Sequence, residues 1–495
     1  MMEDNQDIKK SIKATSLFGG VQVFSILVSI VRTKLVALLI GPTGVGIVEL
    51  YNSTIKLITS LTDFSLYVSA VRDVAIVHKS GDRQNFNHVV SVLSRILWGT
   101  GLLGTVVCLL GSPLWSKMTF GNYDYTIGFA VLSVTLLLTQ LNNGKSVILQ
   151  ATEHYKYLAY SGIIGNVCGL ITTVPIYYFW GIDGVIAVLL LVSLSPYIIA
   201  SYFTSKLKIE YQKVKWPVVV KEGSTMLKQG FFLSVNFILS TLVFYILRIF
   251  ITNKGGVAEV GLYSSSFVIV NTYVGMIFSS MSQEYYPRIS SLADKKDDFT
   301  DAINSQIYLS LLLLGPMIIL FLVFSDNLLL ILYSEKFVSA GKMMALAMLG
   351  VIFQAPSWCM GYAFLAKGDN KIFFVFETIA KAIGLALNIL CYYYWGLTGL
   401  GFSFVLGYLY YALQCSFVCK KRYGLSFKRV PIIMVTTYFL VGVVLISALF
   451  YLPILYRYIL GLFCATISIL YSYRRLNRII NISVFLKSKF YKRNK

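Results

Sequence analysis

The chain carries one pattern twice, 215 residues apart: Trp180-Gly181-Ile182-Asp183-Gly184 recurs as Trp395-Gly396-Leu397-Thr398-Gly399. The same offset places Tyr177-Tyr178 on Tyr392-Tyr393, Gly169 on Gly384, Lys156 on Lys371, Ala151 on Ala366 and Gly46-Ile47 on Gly261-Leu262. One ungapped register held across well-separated regions restricts the fold to two copies of one unit. The unit is apolar nearly throughout, so the duplicated object is a bundle of membrane helices. Duplicated bundles with a binding site between the halves are the usual build of secondary transporters.

Composition supports a membrane solvent. The chain is 57% hydrophobic and 13% charged, with a mean hydropathy of +0.71, outside the range of soluble domains. The net charge of +21 would suit nucleic acid, but the cations sit in short connections between apolar spans and no RNA- or DNA-binding signature accompanies them. They read as topology and as attraction to anionic lipid heads.

A span needs roughly 20 apolar residues. Fourteen stretches qualify: 13–38, 47–75, 88–111, 125–149, 157–179, 182–205, 227–251, 259–285, 303–325, 338–366, 372–394, 398–419, 431–452 and 455–473. Lys and Arg crowd alternate connections, such as Lys206 to Lys221 and Lys420 to Arg429, while the others hold chiefly Lys117, Lys254 and Lys336. The bias predicts both termini in the cytoplasm. Six spans per repeat return the chain to its starting side, which predicts halves related by a pseudo-twofold axis along the membrane normal. The expected division is a six-helix bundle over 1–206, a cytoplasmic linker over 207–226, a second bundle over 227–420, and two added helices with a basic tail over 421–495. The mixed charges and long apolar stretch at the N-terminus argue against a cleaved signal.

Ionisable groups inside spans are costly and mark function by default. Span two offers Asn52, Lys56, Thr59 and Asp63, spaced four, three and four, which is one helical face. Lys56 and Asp63 are seven residues apart, about 10 Å along a helix, so a direct pair within the helix is excluded and a water-filled cavity face is favoured over a buried ion pair. Glu377 and Lys381 have the spacing of a self-neutralising helical pair, which leaves structural and functional readings open. Lys56 falls on Asn271 and Asn166 on Lys381 at the repeat offset, so each position is polar in both halves, as facing walls of one cleft would be. Arg32 and Arg248, at nearly matching positions, suit either snorkelling to phosphates or a diphosphate clamp. Asn143 stands in a polar run with Gln140, Asn142 and Lys145 at one end of span four.

Gly144-Lys145-Ser146 invites a phosphate-loop reading, but that loop needs a glycine where Thr139 stands, and no strand precedes it. The seven cysteines make no CxxC pair, so neither a metal site nor a disulfide framework is supported. The three histidines form no cluster, and no acidic motif or sizeable outer loop of a lipid-linked sugar enzyme is present. The sequence therefore predicts a transporter and not an enzyme, with no cofactor.

Four features resemble the multidrug/oligosaccharidyl-lipid/polysaccharide (MOP) exporter superfamily, and within it the Wzx-type O-antigen translocase group. They are Arg32 followed by Gly41-Pro42-Thr43-Gly44-Val45-Gly46; Glu335-Lys336-Phe337 with Ala340; Phe364-Leu365-Ala366-Lys367-Gly368-Asp369-Asn370-Lys371; and the doubled Trp-Gly-x-x-Gly. The resemblance covers residues 10–420, and the last two spans are similar to those of fourteen-span relatives such as lipid II flippases. It implies an all-α protein of two six-helix bundles plus two C-terminal helices, working by alternating access in the bacterial inner membrane. It implies a polyprenyl-diphosphate-linked oligosaccharide as cargo, driven by a proton or sodium gradient or the membrane potential. A polysaccharide polymerase and other assembly proteins are expected partners, and nucleic acid is not. A lipid II-type flippase and a multidrug or cation antiporter are the alternatives; the antiporter would want an acidic cavity, whereas this polar set has cationic members.

Overall fold

All regular structure is helical among residues 2–480, which the computed structural model describes; residues 481–495 of the predicted basic tail lie outside them. In chain order the helices are α1 (Met2–Thr62), α2 (Leu66–Lys79), α3 (Arg83–Leu110), α4 (Ser112–Phe120), α5 (Thr126–Ala151), α6 (Tyr155–Trp180) and α7 (Val185–Ser205). There follow α8 (Trp216–Gly255), α9 (Val257–Ser291), α10 (Lys296–Leu332), α11 (Gly341–Ala366), α12 (Asn370–Tyr423), α13 (Arg429–Tyr451) and α14 (Ile454–Ile480). Eleven helical stretches among the described residues are long and apolar enough to cross a membrane. Three of them, Gly20–Thr62, Tyr155–Ser205 and Asn370–Tyr423, are each long enough to cross twice, and glycines break them at Gly41, Gly181 and Gly396. Counting those three twice gives the fourteen predicted spans.

The breaks explain the sequence repeat. Gly41 (φ 61°, ψ −169°) and Gly256 (φ 86°, ψ 172°) are 215 residues apart and share a conformation that is essentially closed to residues with a Cβ. Gly181 (φ 52°, ψ −130°) and Gly396 (φ 56°, ψ −143°) are a second such pair at the same offset. What recurs in the sequence is thus the set of positions where a membrane helix must end and the next begin.

By its internal contacts the chain forms two compact units, residues 1–261 with 332–334, and residues 262–331 with 335–495. In the first, α6 packs on α1 and α7, α5 on α3 and α7, and α8 against α1 to α4. The arm of α1 after Gly41 meets the start of α9 at two glycines. A Cβ on Gly46 would lie 2.0 Å from the Val257 carbonyl oxygen, and one on Gly261 would lie 2.0 Å from that of Pro42. Pro42 and Val257 are themselves a repeat pair, so each contact is the other displaced by 215 residues.

One predicted span is corrected. Span two does not run unbroken to residue 75: α1 ends at Thr62, and Phe64 and Ser65 take left-handed conformations before α2 begins. In the connection over 112–124, α4 forms with Ser116, Thr119 and Phe120 buried. Within the predicted linker over 207–226, α8 starts at Trp216 with Pro217 in its first turn, a placement proline favours. The strap over 206–215 ahead of it is tied down. The Gln212 amide donates to Ser91 Oγ at 2.9 Å, His88 contacts the Gln212 side chain at 3.3 Å, and Val214 enters a core with Leu93, Ile96 and Val147.

In the second unit α11 is buried along most of its length and packs on α12 and α13. The added helices dock through close contacts: a Cβ on Gly315 would lie 2.2 Å from the Tyr438 ring, and one on Gly461 2.3 Å from Val323. Arg457 of α14 donates to Asp326 at 3.0 Å, and Tyr458 donates to Asn327 at 2.7 Å.

The glycine crossing gives a direct test. Gly46→Ala should destabilise the protein by about 1–3 kcal/mol, because the methyl group overpacks a backbone contact. Gly275→Ala, whose Cβ meets nothing within 4 Å, should be neutral or slightly stabilising. Thermal unfolding of both variants in detergent would show it; equal melting temperatures would refute the crossing.

Candidate functional site

Most of the predicted polar residues of the first unit lie on two seams. On the first, Arg32 packs against α6, where a Cβ on Gly169 would come within 3.2 Å of its guanidinium. One turn earlier on α6, Asn166 donates to Ser25 Oγ at 2.9 Å. Ser25 and Arg32 are seven residues apart and share a helical face, so Arg32 and Asn166 occupy one α1–α6 seam.

The second seam joins the latter arm of α1 to α8, and the two run antiparallel. Arg248 donates to Glu49 at 3.1 Å. Deeper in, Thr54, Thr119 and Tyr245 link hydroxyl to hydroxyl at 3.1 and 2.9 Å. The Lys56 ammonium then lies 5.5 Å from the Phe237 ring centroid, and at the far end Ser65 meets Ser234 at 2.8 Å. Asn52 and Lys56 are exposed and Thr59 is half-buried. Lys56 has no ion-pair partner among the described residues.

Asp63 directly follows the last residue of the helical arm, its amide donating to the Thr59 carbonyl at 2.8 Å. Its side chain accepts the Ser65 amide at 3.1 Å, a local turn that satisfies backbone freed by the helix end. Asn143 is half-buried on α5. In the second unit, Asn271 is exposed on α9 and donates to its own helix at Phe267. Glu377 and Lys381 form the predicted pair at 3.5 Å, and Tyr411, from the later arm of α12, donates a hydrogen bond to Glu377. An aromatic ledge runs between α9 and α11: Trp358 stacks on Phe278 at 4.8 Å and meets Tyr362 at 5.0 Å. At the connection into α12, Asp369 accepts from Arg422 at 2.9 and 3.0 Å and from Tyr423 at 2.6 Å. Those hydrogen bonds, that of Arg422 foremost, hold the Asp369 carboxyl below the usual carboxylate range.

Sequence reasoning missed Glu49, the partner of Arg248. The signal was present: Glu49 stands three residues before Asn52 and seven before Lys56, on the same helical face. Tyr411 and Phe237 carried no such signal, because their roles arise only from helix packing.

A chain of this many long apolar helices is a multi-pass membrane protein. Its fold is that of the MOP exporters. Lipid II flippase MurJ in an inward closed conformation superposes with a TM-score of 0.69 at 16% identity, over 93% of this chain and 99% of that one. An inward-facing multidrug resistance MATE family transporter of the MOP superfamily gives 0.60 at 15% identity, over 81% and 94%. The model of the polysaccharide biosynthesis protein family matches residues 35–342, more than half of the chain, and the chain belongs to that family. It is 24% identical over 404 residues to a putative O-antigen transporter of Shigella flexneri, covering 80% of this chain and 93% of the relative. It is 21% identical over 347 residues to the lipid III flippase of Escherichia coli (strain K12), covering 70% and 82%.

The Glu49–Arg248 pair changes what an Arg248 variant would report, since removing the arginine strands a half-buried carboxylate. Arg248→Ala and Glu49→Ala should each lower the melting temperature, and the double variant should lose less than their sum. The coupling should be about 1–3 kcal/mol in a double-mutant cycle; strict additivity would show that the pair contributes nothing.

Proposed function

We propose that the protein is a flippase for a polyprenyl-diphosphate-linked oligosaccharide, an O-antigen or similar surface-polysaccharide repeat unit. It moves the head group from the cytoplasmic to the periplasmic leaflet of the bacterial inner membrane by alternating access between its two halves. The observation that carries this reading is Lys56. A lysine in the middle of a membrane helix, exposed, resting on an aromatic ring and without a carboxylate partner among the described residues, is costly unless it meets an anion in the working cycle. A sugar–diphosphate head is such an anion, and it cannot cross hydrocarbon without a polar path, while its lipid tail can remain in the bilayer.

The names of the relatives, an O-antigen transporter and a lipid III flippase, support this class of cargo. A lipid II-type cargo presents the same diphosphate and differs in its sugars. The ledge of Trp358 and Tyr362 offers half-exposed rings of the kind on which sugars stack. A cationic drug would be repelled by Lys56. The distribution of Lys and Arg supports cytoplasmic termini, and a proton or sodium gradient or the membrane potential would drive the cycle.

Proteoliposome transport of lipid-linked oligosaccharide tests the reading. Lys56→Gln should lower transport about tenfold, the scale of one charge-assisted hydrogen bond. Lys56→Arg should keep most of it, and both proteins should accumulate normally. A Gln variant as active as the parent would remove Lys56 from the diphosphate path.

A further inference from the structure

The Gly144-Lys145-Ser146 segment is no phosphate loop, yet its lysine lines a cavity of about 50 Å³ in the first unit. The cavity lies among α3, α5, α7 and the strap, and Ser94, Trp98, Tyr197 and Tyr211 share its wall with Lys145 above an apolar floor. Lys145 Nζ donates to Tyr211 Oη at 3.1 Å and lies 5.2 Å from the centroid of that ring. These contacts orient the ammonium but do not neutralise it, and Lys145 has no ion pair among the described residues.

Position narrows what would neutralise it. Lys145 precedes the end of α5 at Ala151 by six residues, about 9 Å along the helix. That is the depth at which lipid head groups meet acyl chains when helices overhang the hydrocarbon core. Trp98, 44% exposed, and the tyrosines have the amphipathic character of side chains placed at that boundary. The strap that supplies Tyr211 to the cavity carries Lys208, Lys213 and Lys215 against Glu210, a positive balance. Basic pockets between membrane helices on the lysine-rich side are the usual receptors for anionic lipid heads.

We propose that this cavity holds the phosphate group of a lipid in the leaflet beside the strap. Lys145 is its counter-ion, and the Tyr211 hydroxyl, turned from lysine to phosphate, is a hydrogen-bond donor. Because Tyr211 belongs to the strap, an occupied site ties the strap to α3 and α5. Occupancy of the site is read as lipid binding and not as transport.

The full-length protein in detergent is titrated with phosphatidylglycerol, polyprenyl phosphate, phosphatidylcholine and tailless glycerol 3-phosphate, and bound molecules are counted by native mass spectrometry. At least one of the two anionic lipids should bind about tenfold more tightly than phosphatidylcholine, and the tighter of the two identifies the source of the phosphate. Lys145→Gln should abolish that preference, Lys145→Arg should keep it, and Tyr211→Phe should weaken it. Equal lipid binding by the parent and Lys145→Gln overturns the proposal. So does displacement of the lipid by glycerol 3-phosphate at equal concentration, which would make the cavity a soluble-phosphate site. If Lys145→Gln does not fold, Tyr211→Phe decides, and unchanged preference in that variant overturns the assignment.

Discussion

A chain in hydrocarbon can turn only where the amide and carbonyl groups it frees find partners or water, so its turns are few and closely specified. Here the reversals at Gly41, Gly181, Gly256 and Gly396 use backbone conformations that a Cβ would forbid. The rest of the first unit follows from the turns at Gly41 and Gly256. They start two helices that cross at backbone contact through Gly46 and Gly261, and that crossing fixes the register of the second arm of α1 against α8. In that register Glu49 meets Arg248, the Thr54 hydroxyl joins the chain to Tyr245, and Lys56 comes to rest on Phe237. A larger side chain at either glycine would displace the whole row.

The charges inside the spans then sort by whether the protein itself answers them. Arg248 is answered by Glu49, Lys381 by Glu377, and Arg457 by Asp326. Such pairs are tolerable in a bundle interior and are weak evidence of function on their own. Lys56 and Lys145 differ, because each is oriented by an aromatic ring and by no carboxylate among the described residues. An aromatic face holds an ammonium in place for about 0.5–2 kcal/mol, too little to offset full desolvation. Neither ammonium is therefore neutralised by the described residues around it.

The glycine breaks were legible in the sequence because sterics act locally: a turn that only glycine can make leaves a glycine at both copies. The spans were legible because twenty apolar residues announce themselves. The spacing of Asp63 fitted the helical face, but its hydrogen bond to the turn that ends the helix had no sequence signal. The helix start at Trp216 lies inside the Lys-rich stretch, where Pro217 alone betrays it. Glu49 shared the face of Asn52 and Lys56 and could have been read; its pairing with Arg248 could not, since partners 199 residues apart are brought together only by helix packing. Within 112–124, α4 forms because its neighbours bury Ser116, Thr119 and Phe120 on one side of it.

The duplication has kept the turn glycines, while several polar and charged positions inside the spans have diverged. At the repeat offset Glu49 falls on Ser264, Lys56 on Asn271, Lys145 on Met360, Asn166 on Lys381 and Gly162 on Glu377. None of these positions is ionisable in both copies, whereas Gly41, Gly46 and Gly181 all recur as glycine. The turns are held by sterics, since a Cβ at Gly41, Gly181, Gly256 or Gly396 would be strained in either copy. A charged side chain on a helix face meets no such local constraint, so its identity is free to change wherever packing supplies a different neighbour.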